Sequence, residues 1–514
     1  MDYPVGIQTF EDIINDKFFY VDKTDYVYQL VRKKGYYFLS RPRRFGKSLL
    51  ISTIEAYFLG KKDLFDGLKM AELETKWETY PVLHLDLSAR KYTDEKALTK
   101  QLNQYLEKWE KLYGDEFKDR DPEERFSQVI ELAYQKTGKR VVVLIDEYDK
   151  PLTATIDNDE LNEKFREELR AFYGILKSKD SFIRFAMLTG VTKFSKVSVF
   201  SDLNQPDDIS LTEDFQAICG ITDEELDTYC REPIEVLAKK NDTDYADMRE
   251  QLRKKYDGYH FYRKGIGIYN PYSLILTFRH KDLGDYWFET ATTEFLMKLL
   301  KNSNVPISDL SGGRQTAQQL GGKEDFRMNP LPILYQSGYL TITGYDDDIK
   351  EYILGFPNEE VKTGFTQALI PFYLQVKQSA SPFDYNGFVK DLLRGDIEHF
   401  VQRLQALFAN LDYEIMGGKE SDFHNTMQII LFMLSARMRV ERHTSFGRMD
   451  IEIETDDYVA IFELKIDKSA DEALKQIEDK NYASPFATSG KKIYKIGVNF
   501  SSKTRGLEEY KIVS

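Results

Sequence analysis

The chain has very little cysteine. Of 514 residues only Cys219 and Cys230 are cysteines, and neither stands in a CxxC pair or beside paired histidines. A disulfide framework and a structural zinc site are therefore excluded as sources of stability. Two free thiols suit a reducing cytoplasm, the compartment expected here. Long apolar runs are also missing. Ile429–Leu434 is among the longest, far short of the roughly 20 residues a spanning helix needs. The opening MDYPVGIQTFEDI is acidic and lacks the apolar centre of a secretory leader, so no membrane attachment is expected. Positive charge is not in excess either. The net charge is −14, which argues against a general nucleic-acid coat and leaves room only for a local basic groove. There is no low-complexity segment and no internal repeat. What is present suits packed cores: 42% hydrophobic and 14% aromatic residues, in a chain long enough for two to four domains.

The stretch Tyr36–Thr53 organises the first part. Tyr36–Leu39 reads as a buried strand, and Leu49, Leu50, Ile51, Thr53, Ile54, Tyr57 and Phe58 recur at helical spacing. Gly46-Lys47-Ser48 lies between them. Strand, polar loop, Gly-Lys-Ser and helix make a phosphate-binding loop: backbone N–H groups and the helix dipole face an anion, Lys47 reaches the β and γ phosphates, and the Ser48 hydroxyl meets Mg²⁺. Such loops want a glycine five residues before Gly46. Here Arg41 stands there, followed by Pro42, Arg43 and Arg44, so the loop has to wrap phosphates by another backbone route.

Val141–Ile145 is an apolar, mostly β-branched run ending in Asp146-Glu147. It predicts a doubly buried strand of a parallel sheet, with two carboxylates at the carboxyl end where such sheets bind ligands. Asp146 is the expected Mg²⁺ ligand and Glu147 the general base for water. Phe182–Gly190 predicts another buried strand, with Thr189 as a polar sensor between the phosphate loop and the Asp-Glu strand. Arg41, Arg43, Arg44, Arg166, Arg170 and Arg231 all qualify as the arginine that stabilises a transition state. His84 reads as a packed histidine within a strand, and Asp22 or Thr24 as a helix cap.

These pieces resemble the AAA-ATPase-like family of bacterial and archaeal proteins. The match is carried by Pro4–Ile7, Tyr20–Thr24, Arg41–Ser48, Leu144–Asp149, Leu188–Val191 and Phe194–Ser198. The Arg-Pro-Arg-Arg-Phe-Gly-Lys-Ser loop is specific to that family and turns the missing glycine into a family trait. The resemblance implies ATP as ligand, held by Arg43, Arg44, Phe45, Gly46, Lys47, Ser48, Asp146 and Thr189.

Beyond residue 219 the pattern changes to short helices and turns. Asn302–Asp325 is polar, with Gly312-Gly313 and Gly321-Gly322, and reads as a flexible insertion. Gly338–Tyr345 and Tyr352–Phe356 flank Asp346-Asp347-Asp348 as a β-hairpin. A lid, or a winged-helix-like module with an acidic wing, is expected.

The last part carries a second constellation. Glu420 opens a helix to Arg437, and Arg448–Glu454 alternates, with Asp450, Glu452 and Glu454 on one face. Tyr458–Ile466 is an apolar strand interrupted by Glu463 and Lys465, two residues apart and so on one side. Charges inside an apolar strand are costly unless paired or functional. Metal-assisted phosphodiester hydrolysis wants this set: Asp450 and Glu463 hold Mg²⁺, Lys465 orients water or steadies the transition state, and Glu420 adds an oxygen. The closing strand is read as Lys492–Val498. The arrangement resembles the PD-(D/E)XK nuclease superfamily, through Gly447–Asp450 and Phe462–Lys465, with Met449 where proline is usual. That resemblance adds Gln476 and Tyr482 as accessory positions.

The expected protein is thus α/β: an N-terminal P-loop ATPase with a parallel sheet (1–219), a helical, winged-helix-like connector (220–380) and a C-terminal α/β restriction-endonuclease-like domain (381–514). ATP and Mg²⁺, with Mn²⁺ able to substitute at the nuclease site, are the expected cofactors. Nucleic acid, chiefly DNA, is the expected partner, and homo-oligomerisation is compatible with both halves. A second reading stays open, in which nucleotide sets a switch or an assembly and the nuclease-like domain binds nucleic acid without cutting it.

Overall fold

A computed structural model describes residues 2–114, 119–193, 206–289, 300, 310–321, 328–373, 384–410, 430, 451–504 and 506–514. The chain divides into two compact units, residues 1–291 with 310–361, and 292–309 with 362–514. Both are α/β.

The first unit is built on five strands: β1 (Gly35–Ser40), β2 (Val82–Asp86), β3 (Val141–Asp146), β4 (Ile183–Gly190) and β5 (Asp207–Asp208). Their order is β2-β3-β4-β1-β5, and every pairing is parallel. β3 is buried along its whole length, as an apolar β-branched run between two strands should be. The helices Ala97–Tyr113, Pro122–Thr137 and Asp159–Ser178 lay their apolar stripes on the sheet. Leu102, Leu106, Phe126, Val129, Leu169 and Phe172 are buried there, and the Phe126 and Phe172 rings stack at 4.4 Å. Between the first two helices Arg125 donates through Nε and Nη2 to the Glu110 carboxylate, both at 2.7 Å. His84 is packed as expected, its Nδ1 2.8 Å from Glu55 Oε2. Lys23, not Asp22 or Thr24, is the cap of the helix Thr24–Val31, while the Asp22 carboxylate accepts from the Thr24 N–H (2.9 Å) and the Lys69 N–H (2.8 Å).

After β3 and a turn at Tyr148–Asp149 comes a short helix, Lys150–Ala154, with Pro151 in its first turn, where a missing N–H costs nothing. Residues 221–280 form a helical bundle beside a small ribbon, β6 (Ile221–Thr222) with β7 (Ile268–Tyr269). Phe19, Leu226, Ile234, Leu252, Tyr256 and Leu274 share its core. The stretch read as a flexible insertion is structured where described. β8 (Arg314–Thr316) joins the expected hairpin, β9 (Thr341–Asp346) and β10 (Glu351–Gly355), as a third antiparallel strand. Arg314 Nη1 donates to Asp346 Oδ2 at 2.9 Å, and Lys264 pairs with Asp347 at 3.0 Å, so two of the wing's aspartates are paired.

The second unit carries β11 (Ile451–Glu454), β12 (Tyr458–Ile466), β13 (Lys492–Ser501) and β14 (Gly506–Val513), in that spatial order. β12 and β13 are parallel and joined through the helix Ala470–Asp479. The sheet's last strand, β14, follows the one that the sequence reading took as the closing strand. Side chains of β12 alternate strictly. Tyr458, Ala460, Phe462 and Leu464 pack with helices Tyr385–Leu393 and Ile397–Asn410, while Val459 and Ile461 pack with Ile477 and Tyr482.

One buried acid holds the middle of the first unit together. Glu360, 0% exposed, accepts from the Trp287 N–H (2.8 Å) and from Ser273 Oγ (2.8 Å). Burial raises its pKa from 4.5 to about 7. The folded state therefore holds a proton that the unfolded chain releases. This contribution is complete below pH 4.5 and is lost as pH rises through about 7. Between pH 5 and 8 the wild type should lose about 2 kcal/mol more stability than Glu360→Gln. Denaturant titrations across that range would show it, and parallel pH profiles would contradict it.

Candidate functional site

At the carboxyl end of the parallel sheet, β1 runs into the loop Arg41–Gly46 and the helix Lys47–Phe58. Gly46 sits in the left-handed region (φ 91°) as the helix cap, a conformation that glycine takes without strain. Arg44 is left-handed too, at φ 66°. Backbone N–H groups in such turns make an anion-binding concavity. Lys47 is only 4% exposed. Its Nζ donates to the loop's own carbonyls, Arg41 O (3.1 Å) and Pro42 O (3.2 Å), and lies 3.6 Å from Glu147 Oε1. The ammonium is thus held inside the loop by weak, replaceable acceptors.

The other expected residues gather beside it. β4 lies between β1 and β3, so Thr189 at its tip meets Asp146 at the end of β3. Thr189 Oγ1 donates to Asp146 Oδ1 at 2.5 Å, and the Glu147 N–H donates to the same oxygen at 3.0 Å. Glu147 has φ 52°. A non-glycine residue held left-handed is strained by about 1 kcal/mol or more, and such strain clusters at functional sites. Asp149 secures the turn from behind. It is 1% exposed and accepts from the Thr192 N–H (2.7 Å) and Thr192 Oγ1 (2.6 Å). Burial, with Glu147 nearby, raises its pKa.

The arginine-rich loop owes its shape to its surroundings. Arg41 is 1% exposed. Its Nη1 donates to Ser40 O and Ser210 O and its Nη2 to Phe215 O, all at 2.9 Å, and the guanidinium lies 4.0 Å from the Phe261 ring centre. Arg41 is therefore a strut, which withdraws it from the transition-state candidates. Phe45, 1% exposed, sits edge-on to Tyr259 (4.8 Å) and Phe261 (5.6 Å). Sequence reasoning passed over Ser210, Tyr259 and Phe261, since each becomes relevant only through a fold contact more than 150 residues along the chain. Next to Gly46 an apolar cavity of about 100 Å³ is lined by Pro4, Val21, Lys23, Leu49, Ile218 and Ile275 among others. Lys23 Nζ donates to Glu225 Oε2 (2.5 Å), joining the N-terminal segment to the helical bundle, and burial lowers the lysine's pKa.

In the second unit Glu463 is 2% exposed, and Lys465 Nζ donates to its Oε1 at 2.8 Å. The same ammonium donates to Gln476 Oε1 at 2.7 Å. Tyr482 is buried on that face with Ile461 and Ile477. Ile451 of β11 pairs with Phe462, so Asp450 and Glu463 are the next residues along the sequence from that pair. Asp450 and Glu420 themselves lie outside the described residues. Among the described residues no cluster of three or more His, Cys, Asp or Glu is placed to hold a metal. No helix among them is long and apolar enough to cross a membrane.

Comparison with known proteins finds a family for each of the two domains. The model of the "predicted AAA-ATPase" family matches residues 4–200, and that of the PD-(D/E)XK nuclease superfamily matches residues 419–510. An uncharacterized protein in the vnfD 5' region of Azotobacter chroococcum mcd 1 is 34% identical over 99% of this chain and 98% of its own length. The chain belongs to the AAA-ATPase-like family, with a PD-(D/E)XK nuclease superfamily domain at its C-terminus. Among solved structures, the Aeropyrum pernix ORC2 protein in its ADPNP–ADP complexes aligns with 10% identity and a TM-score of 0.25, over 68% of this chain and 92% of that one.

Within this AAA-ATPase-like protein the two sites differ in how they hold charge. Lys47 rests on two loop carbonyls with Glu147 at 3.6 Å, whereas Lys465 bonds directly to a carboxylate that is fully buried. Removing one partner of a buried ion pair leaves the other unpaired and is strongly destabilising. Lys465→Ala should therefore lower the stability of the second unit by about 3 kcal/mol. The double variant Glu463→Gln with Lys465→Met should recover most of that loss. Equal stability of the single variant and the wild type in chemical denaturation would contradict the pairing.

Proposed function

We propose that this AAA-ATPase-like protein binds and hydrolyses ATP in its first unit and that this controls a Mg²⁺-dependent phosphodiesterase acting on DNA in its second. For the first unit, the carrying observation is Lys47 lodged on the carbonyls of Arg41 and Pro42, 3.6 Å from Glu147. A triphosphate is a far stronger partner for an ammonium than two amide oxygens. The N–H groups of Arg44 through Lys47 would cradle the β and γ phosphates. The apolar cavity beside Gly46 is the surface offered to the base. Moving Lys47 onto phosphate frees Glu147 to take the proton of the attacking water. Thr189 keeps Asp146 oriented through Oδ1, and the carboxylate's other oxygen and the Ser48 hydroxyl are the groups offered to Mg²⁺.

For the second unit, the carrying observation is a carboxylate 2% exposed and bonded to a lysine two residues away, in a strand otherwise apolar from Tyr458 to Leu464. These donors fit a hard divalent ion, and a bound Mg²⁺ would supply an acidified water and neutralise charge on the scissile phosphate. Glu463 with Asp450, and Glu420 as an accessory, would hold it. Lys465, positioned by Gln476, would orient the water. From residue 381 onward there are 18 basic against 22 acidic residues, so affinity for DNA would be weak, salt-sensitive or supplied by a partner.

The test is cleavage of plasmid, linear duplex and single-stranded DNA with Mg²⁺ or Mn²⁺, with and without ATP. Cutting is expected, reduced at least a hundredfold in Glu463→Ala and altered by ATP in the wild type but not in Lys47→Ala. Binding of ATP and DNA without cutting under any condition would favour a nucleotide-dependent switch.

A further inference from the structure

The phosphate loop has glycine only at its end, yet its backbone turns left-handed at Arg44 (φ 66°). Something outside the loop fixes that turn. Trp287, from a short helix Tyr286–Glu289 more than 240 residues along the chain, donates its indole Nε1–H to Arg43 O at 3.0 Å. The indole is 2% exposed, and Trp287 is anchored at its own backbone by Glu360. Gly338, at φ 88°, lets the chain pass close to both partners. A Cβ there would stand 2.6 Å from Pro42 Cβ and 3.2 Å from Trp287 Cζ2. Arg44 is braced from the same bundle, its guanidinium 4.9 Å from the Tyr272 ring centre.

Peptide geometry makes the indole bond consequential. No described peptide is cis, and in a trans peptide the C=O of one residue and the N–H of the next point in opposite directions. The carbonyls of Arg41 and Pro42 turn toward Lys47, whereas that of Arg43 turns to the indole. Holding Arg43 O on Trp287 therefore drives the Arg44 N–H away from it. We infer that Trp287 is a positioning residue for phosphate binding: its indole N–H holds the Arg43–Arg44 peptide so that the Arg44 N–H faces the bound phosphates, a task a second glycine's freedom would otherwise serve. This rests on the reading of the loop as a nucleotide site.

Trp287→Phe removes the donor and keeps an aromatic ring. It should weaken MgATP and inorganic triphosphate by the same factor, roughly tenfold, which corresponds to about 1.4 kcal/mol for one lost bond to a buried carbonyl. Calorimetric titration with both ligands reads this. A merely structural loosening would also disturb the apolar cavity and so weaken ATP more than triphosphate, which would overturn the inference. So would unchanged affinity for both. Wild-type protein that binds neither ligand would overturn the nucleotide reading instead, and this inference with it. A second measurement needs no Trp287 variant. The chain has three tryptophans, and Trp77→Phe and Trp109→Phe assign the indole N–H resonance of Trp287. That resonance should shift as triphosphate saturates the protein, and a resonance that stays put at saturation contradicts the proposed role.

Discussion

A loop that is to encircle phosphate must point several backbone N–H groups at one place, and that demands unusual torsions. Glycine is the inexpensive way to obtain them. With Arg41 in the upstream position, this protein obtains them by tertiary constraint. Arg41 is fixed by three carbonyls, Phe45 is seated between Tyr259 and Phe261, and the Arg43 carbonyl is held by Trp287. Residues that follow the parallel sheet in sequence, from Ser210 to Trp287, thereby shape this loop. In the Arg-Pro-Arg-Arg-Phe-Gly-Lys-Ser signature, Arg41 and Phe45 serve the loop's shape, and Lys47 carries a buried charge.

The two sites meet the cost of a buried ammonium in different ways. In the first, Lys47 is held by two amide oxygens and a carboxylate 3.6 Å away, contacts that an incoming polyphosphate would replace. In the second, Lys465 bridges Glu463 and the Gln476 amide at hydrogen-bond distances. The pair is stable on its own and holds a preset geometry on the sheet face. Preset geometry suits residues that must orient water against a fixed phosphate.

Residues whose role depends on sequence neighbours were legible. The strand before Gly46, the helix after it, the buried Val141–Ile145 run and the shared side of Glu463 and Lys465 all follow from local periodicity. So did the place of Thr189, because a strand between the loop strand and the Asp-Glu strand can present only its tip to the site. What escaped the reading depends on long-range contact. Trp287, Ser210 and Glu360 act through chain-distant partners, and nothing in their immediate sequence marks them. β8 was missed because three strand residues next to glycine pairs carry too little pattern to outweigh a polar context. β14 was missed because Gly506–Val513 is an edge strand whose alternating exposure reads as mixed surface.

The central claim is that Lys47 waits on the loop's carbonyls for a polyphosphate. Calorimetric titration of the full chain with MgATP, beside Lys47→Ala, tests it most directly. One saturable site in the wild type that disappears in the variant is the predicted result. Equal binding by the two proteins, or binding by neither, would contradict it.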